Sequence, residues 1–329
     1  MPPTMKIGCC CSEEPIWRIY RHNVLTLLAM NQLAAQRVVV TGATGFVGLH
    51  LCRDLLRSGA EVFAISRTEP GILHQRLHWR QADLTDFECT QKAFRGLHRS
   101  VVFHLCSYAQ GEPDLAMVLP TFQGEVVTSV NVLTAVADIG VTRIVMAGSM
   151  EEPGVGEIAS SPYAAAKAAS RAYGAMFHRL HGVPVVMTRI FMTYGPGQAT
   201  KKVIPHTITT LVEGRPLKVA NPQRLVDWIF VDDVVQGLLA AASASGMEGN
   251  SVDIGSGELI AISDVVRRIC RLVRPDAPVE FGSTSERRPE QVRQADVVRT
   301  FALTGWRPTV SLDDGLKLAV EYLMRPGSR

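Results

Sequence analysis

The chain has 329 residues, 47% hydrophobic and 20% charged, with 34 Lys and Arg against 31 Asp and Glu for a formal net charge of +3. This balance excludes a disordered chain. So weak a charge gives no case for nucleic acid or a membrane surface as partner, and the length allows one large α/β unit with a smaller lobe, or two domains.

Residues 1–35 precede the first convincing strand. Charged and polar residues break up the first 23 positions, and the apolar stretch Val24–Met30 is short, so neither a signal peptide nor a membrane span is read there. Met30 would be a natural start. The segment reads as an N-terminal extension outside the fold, either a disordered tail or a misplaced start.

From Arg37 the pattern alternates. Arg37–Thr41 reads as a buried strand, Phe46–Ser58 as a helix and Glu61–Ser66 as a second strand. Trp79–Ala82 predicts a strand, followed by a helix through Phe94. Ser100–Leu105 is a further strand, Glu125–Ile139 a helix, Arg143–Ala147 a strand, Pro162–Leu180 a long helix and Pro184–Arg189 a strand. Strands alternating with helices imply βαβ units, hence an α/β fold with a doubly wound parallel sheet. A dinucleotide-binding domain is expected over 36–190. Beyond it the pattern loosens into a smaller substrate-binding lobe over 191–329, with 227–242 returning to the first domain. Ile262–Val273 and Leu312–Leu323 read as helices.

The turn Thr41-Gly42-Ala43-Thr44-Gly45-Phe46-Val47-Gly48 joins the first strand to the first helix. Gly42 suits a tight turn, Gly45 a close approach of backbone to pyrophosphate, and Gly48 close packing of helix on strand. The helix N-terminus offers N–H groups to phosphate. Thr44, Phe46 and Val47 belong to the same cofactor-binding turn. At the end of the second strand, where a carboxylate would bind the ribose 2′-hydroxyl of NAD, stand Ser66 and Arg67. That pair suits a 2′-phosphate and favours NADP over NAD. Asp83, with Leu84, is placed to meet the adenine. Leu105, Cys106 and Ser107, after His104, end a strand beside the nicotinamide ribose.

Tyr163 and Lys167 form Y-x-x-x-K near the start of a helix, on one face. An ammonium beside a phenol lowers its pKa and makes it a general acid/base. Lys167 can also reach the nicotinamide ribose. Ser149 follows a strand at its carboxyl end, where open α/β sheets bind ligands.

These motifs, with DLTD at 83–86, HLCS at 104–107, AGSMEE at 147–152, RIFMTYGPG at 189–197 and DWIFVDDV at 227–234, resemble the extended short-chain dehydrogenases, the NAD-dependent epimerase/dehydratase family of nucleotide-sugar enzymes. The resemblance covers about residues 36–323. It implies a Ser149–Tyr163–Lys167 catalytic set, with Tyr163 moving the proton of a sugar hydroxyl, usually at C4, while hydride passes to or from nicotinamide. It also implies a homodimer built on the helices near 125–139 and 162–180. The chain departs from the family pattern at two positions. Dehydratases carry an Asp-Glu pair after the catalytic hydroxyl; Met150-Glu151 stands here, which speaks against dehydration. Glu151 could serve as a base at C3 or C5, or be solvated. Met192 occupies the place of an asparagine that contacts pyrophosphate. Among the basic residues, Arg224 and Arg288 lie where the family binds phosphate, and a guanidinium fork suits a diphosphate.

The expected activity is therefore NADPH-dependent reduction of a nucleotide-linked 4-keto-6-deoxy sugar. The alternatives are a 4-epimerase with tightly held NAD and, last, a non-catalytic NADP-binding sensor. The seven cysteines show no C-x-x-C pair and no Cys/His ligand spacing, so no metal site is read and a reducing cytoplasm is expected.

Overall fold

The computed structural model describes residues 33–69, 71–108, 114–282 and 292–325. Most of the expected N-terminal extension, with Cys9–Cys11, and Arg288 lie outside the described residues.

The first half builds the main sheet. Strands β1 (Arg37–Thr41), β2 (Glu61–Ser66), β3 (Leu77–Gln81), β4 (Val101–His104), β5 (Arg143–Ser149) and β6 (Val185–Ile190) alternate with helices α1 (Phe46–Arg57), α2 (Phe87–Phe94), α3 (residues 115–139) and α4 (Pro162–His181). A seventh strand, β10 (Ser251–Ile254), arrives from the C-terminal half. The order is β10-β6-β5-β4-β1-β2-β3 and every pairing is parallel. This is a doubly wound sheet, and its strand order reverses between β1 and β4, where such sheets open a ligand crevice.

Side-chain alternation explains why the middle of β1, Val38–Val40, is apolar. Val38 and Val40 enter one core with Leu51, Leu55 and Phe103, while Val39 enters the opposite core with Ile65, Phe94 and Leu133. A strand covered on both faces needs apolar residues at every position. Each such side chain, fully buried, contributes roughly 1.5–3 kcal/mol.

The C-terminal half has its own core. Strands β7 (Met192–Tyr194), β9 (Leu225–Phe230) and β11 (Leu259–Ala261) form a small mixed sheet, β8 (Leu217–Val219) pairs with β12 (Val279–Phe281), and α5 (Val203–Val212), α7 (Ile262–Val273) and α9 (Leu312–Met324) pack around Tyr194, Ile208, Trp228, Phe230 and Leu316. Helix α6 (Val231–Ser243) crosses back and puts Val234, Val235 and Leu238 into the core beneath β1 and α1, and α8 (Val297–Thr304) packs against β10. The expected return of 227–242 to the first domain thus divides in the structure. The helix packs on the main sheet, whereas β9 pairs with β7 and β11, because its edges are satisfied there.

Helix α3 also differs from expectation, starting well before Glu125. It begins as a 3-10 turn at Leu115–Met117, widens into a π segment at Phe122–Val127 and continues as an α-helix over Thr128–Ile139. Pro120 and Gly124 hid the first turns from sequence reasoning. The π widening frees carbonyls that hydroxyls recapture: Thr128 Oγ1 donates to Gly124 O (2.9 Å) and Glu125 O (3.2 Å), and Ser170 Oγ donates to Glu125 O (3.2 Å).

Candidate active site and cofactor turn

The glycine turn is shaped for backbone rather than side chains. Gly42 has φ +67°, and a Cβ there would lie 2.8 Å from the backbone of Leu105 and Cys106. A Cβ on Gly48 would strike the carbonyl oxygen of Gly42. Gly45 N–H donates to Gly42 O at 2.9 Å. Helix α1 starts with no side-chain cap and no acidic residue in its first turn. Its leading N–H groups therefore face outward without a competing carboxylate, which fits a bound dinucleotide phosphate. Thr44 is half-buried, Phe46 stacks edge-on to His50 with ring centres 5.6 Å apart, and Val47 packs into the main core.

At the end of β2, Ser66 Oγ donates to Thr68 O (2.6 Å) and accepts from Trp79 Nε1 (3.1 Å), so its hydroxyl braces the loop. Arg67 is exposed at the strand end. Asp83 accepts from Thr85 N–H (3.0 Å) and Oγ1 (2.8 Å), which lowers its pKa. Leu84 is buried, and its carbonyl accepts from Asn131.

The expected catalytic residues gather at the carboxyl ends of β4 and β5. Helix α4 is started by Ser161, whose Oγ accepts from Ala164 N–H (3.1 Å), with Pro162 in the first turn. Tyr163 thus sits in the first turn and Lys167 one turn later. Lys167 Nζ lies 5.7 Å from the centre of the Tyr163 ring and donates to Ala147 O on β5 at 2.8 Å. Ser149 ends β5, is buried, and its hydroxyl acts on Tyr163 to favour the phenolate. Glu151 is half-buried; its N–H donates to Ser149 Oγ (3.2 Å) and its charge acts on Tyr163.

The electrostatics differ from the simple ammonium–phenol picture. Burial raises Tyr163 above the ordinary tyrosine range, Lys167 lowers it, and Glu125 raises it again, so the net direction in the described chain is upward. Burial is the main cause, and a residue that sequence reasoning placed only at a helix start adds to it. Glu125 Oε2 stands 2.8 Å from Lys167 Nζ, with both side chains buried. Desolvation alone would pull Lys167 down, but Glu125 and then Tyr163 outweigh it and raise it. Glu125 also accepts from Tyr108 N–H (2.9 Å) and from Ser107 Oγ. Its one sequence signal was spacing, since Glu125, Ser129, Val132 and Val136 share the buried stripe of α3.

Two other neighbours complete the cleft floor. Burial, then the charge of Lys167, pushes His104 down to about 3, which leaves a neutral ring bonded to Thr41 Oγ1 (2.8 Å) and Ser129 Oγ (3.2 Å). Burial pushes Cys106 up to about 11, an inert thiol. Leu105 is half-buried against the main core.

The described chain matches a known family over residues 38–255, the NAD dependent epimerase/dehydratase family. The chain belongs to that family. Curated relatives include a UDP-glucuronate 4-epimerase of Thermodesulfobacterium geofontis, 25% identical over 86% of this chain and 95% of its own. A dTDP-glucose 4,6-dehydratase of Haemophilus influenzae is 26% identical over 87% of this chain and 97% of its own. Among solved structures, an epimerase from Methanothermobacter thermautotrophicus superposes with TM-score 0.83 at 22% identity, covering 91% of this chain and 95% of that one. The UDP-glucuronic acid 4-epimerase of Bacillus cereus, solved with UDP-glucuronic acid and NAD, superposes at 0.79 with 24% identity, over 88% and 99%. This member of the family is thus an enzyme of the short-chain dehydrogenase superfamily. Among the described residues no helix is long and apolar enough to cross a membrane.

The proposed substrate residues are dispersed. Met192, on β7, pairs with Trp228 and packs between the two cores. Arg224 lines a cavity of about 190 Å³ in the C-terminal half with His206, Lys218 and Asn221. Sequence reasoning also missed Glu152, whose Oε1 accepts from Ser149 N–H at 2.8 Å and whose carboxyl burial raises its pKa.

Proposed function

We propose that this enzyme transfers hydride at C4 of a nucleotide-linked sugar as a 4-epimerase, with Ser149, Tyr163 and Lys167 as the catalytic set. One observation carries the reading: these three side chains meet at the carboxyl end of β5, beside the switch point between β1 and β4. The residues of the glycine turn, Gly42, Gly45 and Gly48 with Thr44, Phe46 and Val47, would hold the dinucleotide phosphates. The bound nicotinamide supplies a reversible hydride acceptor. Tyr163 takes the proton of the sugar hydroxyl at its phenol oxygen and returns it on reduction. Ser149 bonds the same sugar oxygen, and Lys167 keeps positive charge beside the phenol. Met150 is buried in the core, so the position after Ser149 offers no acid to expel a hydroxyl, and dehydration is not proposed.

The cavity at Arg224 would take the nucleotide, with residues 191–329 as the substrate lobe. Exposed Leu119, Phe122 and Tyr173 on α3 and α4 support a homodimer, and the free cysteines suit a reducing cytoplasm. A second reading, NADPH-dependent reduction of a 4-keto-6-deoxy sugar, is favoured by the exposed Arg67 and the lack of an acid at the end of β2. Purified protein separates the two. Retained NAD, found by mass spectrometry after denaturation, with interconversion of UDP-sugars and no added cofactor, supports the epimerase. Consumption of NADPH with a nucleoside-diphosphate 4-keto-6-deoxyhexose would replace it by the reductase.

A further inference from the structure

Glu125 is an expensive residue to bury. A carboxylate taken from water costs several kcal/mol unless it is paired and hydrogen-bonded. Here the whole neighbourhood is arranged around it. The π segment Phe122–Val127 turns it toward α4, and Gly124 lets this stretch approach the loop after β4, since a Cβ there would lie 2.7 Å from Tyr108 Cβ. The carboxylate then gathers Lys167 Nζ, Tyr108 N–H and Ser107 Oγ. It connects the catalytic helix to the loop that carries the cofactor-binding positions Cys106 and Ser107.

We propose that Glu125 is a positioning residue for the Tyr163–Lys167 pair, fixing the ammonium in place and setting the pH range in which the pair exchanges a proton. The inference rests on the reading that Tyr163 and Lys167 are catalytic. A lone ammonium beside a phenol would hold the phenol pKa low; a carboxylate on the far side of that ammonium cancels part of its charge and moves the phenol back up. Other charged or titratable groups face the pair as well. Glu151 and Glu152 come from the segment after β5, with Arg171 of α4 and Arg189 of β6 acting on Glu152, and His104 and Cys106 come from the end of β4. Of these acids, Glu125 is the one in direct contact with Lys167.

The test is Glu125→Gln, which keeps size and an acceptor oxygen but removes the charge. Tyrosine labelled at the ring carbon bearing oxygen is titrated by NMR without cofactor, and the Tyr163 signal is assigned by its loss in Tyr163→Phe. The Tyr163 midpoint is expected to fall by about one pH unit, and the acid limb of the pH–rate profile to move the same way. Glu125→Asp, which keeps the charge, should restore the original midpoint with a lower rate. If Glu125→Gln does not fold, Glu125→Asp against Glu125→Asn repeats the comparison at equal size. An unmoved midpoint with activity lowered equally at every pH would overturn the proposal and leave Glu125 as scaffolding. Full activity in Tyr163→Phe would instead overturn the catalytic reading itself.

Discussion

In the parallel-sheet half, the buried acids Glu125 and Glu152 stand beside cations, Lys167 at 2.8 Å and Arg171 at 3.8 Å. In the C-terminal half, Asp227 and Asp233 are tied instead to loop donors. Asp227 accepts from Ser256 N–H and Oγ, Gly257 N–H and Ala295 N–H, all within 3.0 Å. Asp233 accepts from Thr309 N–H and Oγ1 and from Val310 N–H. A buried carboxylate therefore has two uses in one chain. Where strands open at a cleft it stands against an ammonium; where loops must be pinned it collects backbone N–H groups that water would otherwise have to satisfy.

The largest expected effect lies at the cleft. Tyr163→Phe removes one oxygen and should lower kcat by 10³-fold or more, in line with loss of a general acid/base together with its hydrogen bonds. Dinucleotide affinity and the unfolding midpoint should stay close to wild type, because the ring is only half-buried and its packing is retained. Calorimetric binding of NAD or NADP alongside turnover checks both halves of that statement. Loss of binding in parallel with turnover would mean that Tyr163 supports structure, and the contrast with the C-terminal acids would disappear.

The contrast also explains what was legible in the sequence. The glycine turn and Y-x-x-x-K are local patterns, so their residue types carry their geometry within one turn of chain. The main-sheet strands were legible because burial on both faces leaves continuous apolar runs, as in Val38–Val40 and Ile144–Ala147. Glu125 and Lys167 belong to different helices, and no local spacing announces their meeting. The strands Ser251–Ile254, Leu259–Ala261 and Val279–Phe281 are too short for periodicity to register, and the helix Val297–Thr304 buries only Thr300. The lowered phenol pKa expected from Lys167 alone was overturned for the same reason: its outcome depends on a distant acid and on burial.

Asp227→Ala probes the other half. It leaves four donors around Asp227 without their acceptor, and unmatched buried donors cost about 1–3 kcal/mol each, not additively. A loss of about 3–5 kcal/mol in unfolding free energy is expected by denaturant titration, while kcat of the folded fraction changes less than tenfold. A large fall in kcat with unchanged stability would move Asp227 into the catalytic machinery.

Asp233 sharpens the same point through pH. Burial outweighs its hydrogen bonds and raises its pKa from 3.8 to about 6. Between those values the folded chain binds more protons than the unfolded one. Its contribution to stability is thus complete below about pH 4 and lost as pH rises through 6, amounting to about 3 kcal/mol. Unfolding free energies of wild type and Asp233→Asn, measured at pH 4 and pH 7, should differ in slope in that sense. Parallel slopes would show that the loop donors keep Asp233 ionised throughout.

The smallest expected effect concerns Arg67, at the rim of the cofactor turn. Its guanidinium is exposed, and its backbone carbonyl accepts from Gln81 Nε2 at 3.1 Å, so the loop can keep its path without the side chain. An exposed charge pair is screened by water and salt, which limits what one arginine can add on a 2′-phosphate. Arg67→Ala should therefore weaken NADP binding about tenfold, equivalent to about 1.4 kcal/mol, and leave NAD binding unchanged. The difference should shrink as ionic strength rises. Equal affinities of the variant and wild type for NADP would make Arg67 a solvated surface cation, remove one of the two observations behind the NADPH reductase, and favour the epimerase with NAD.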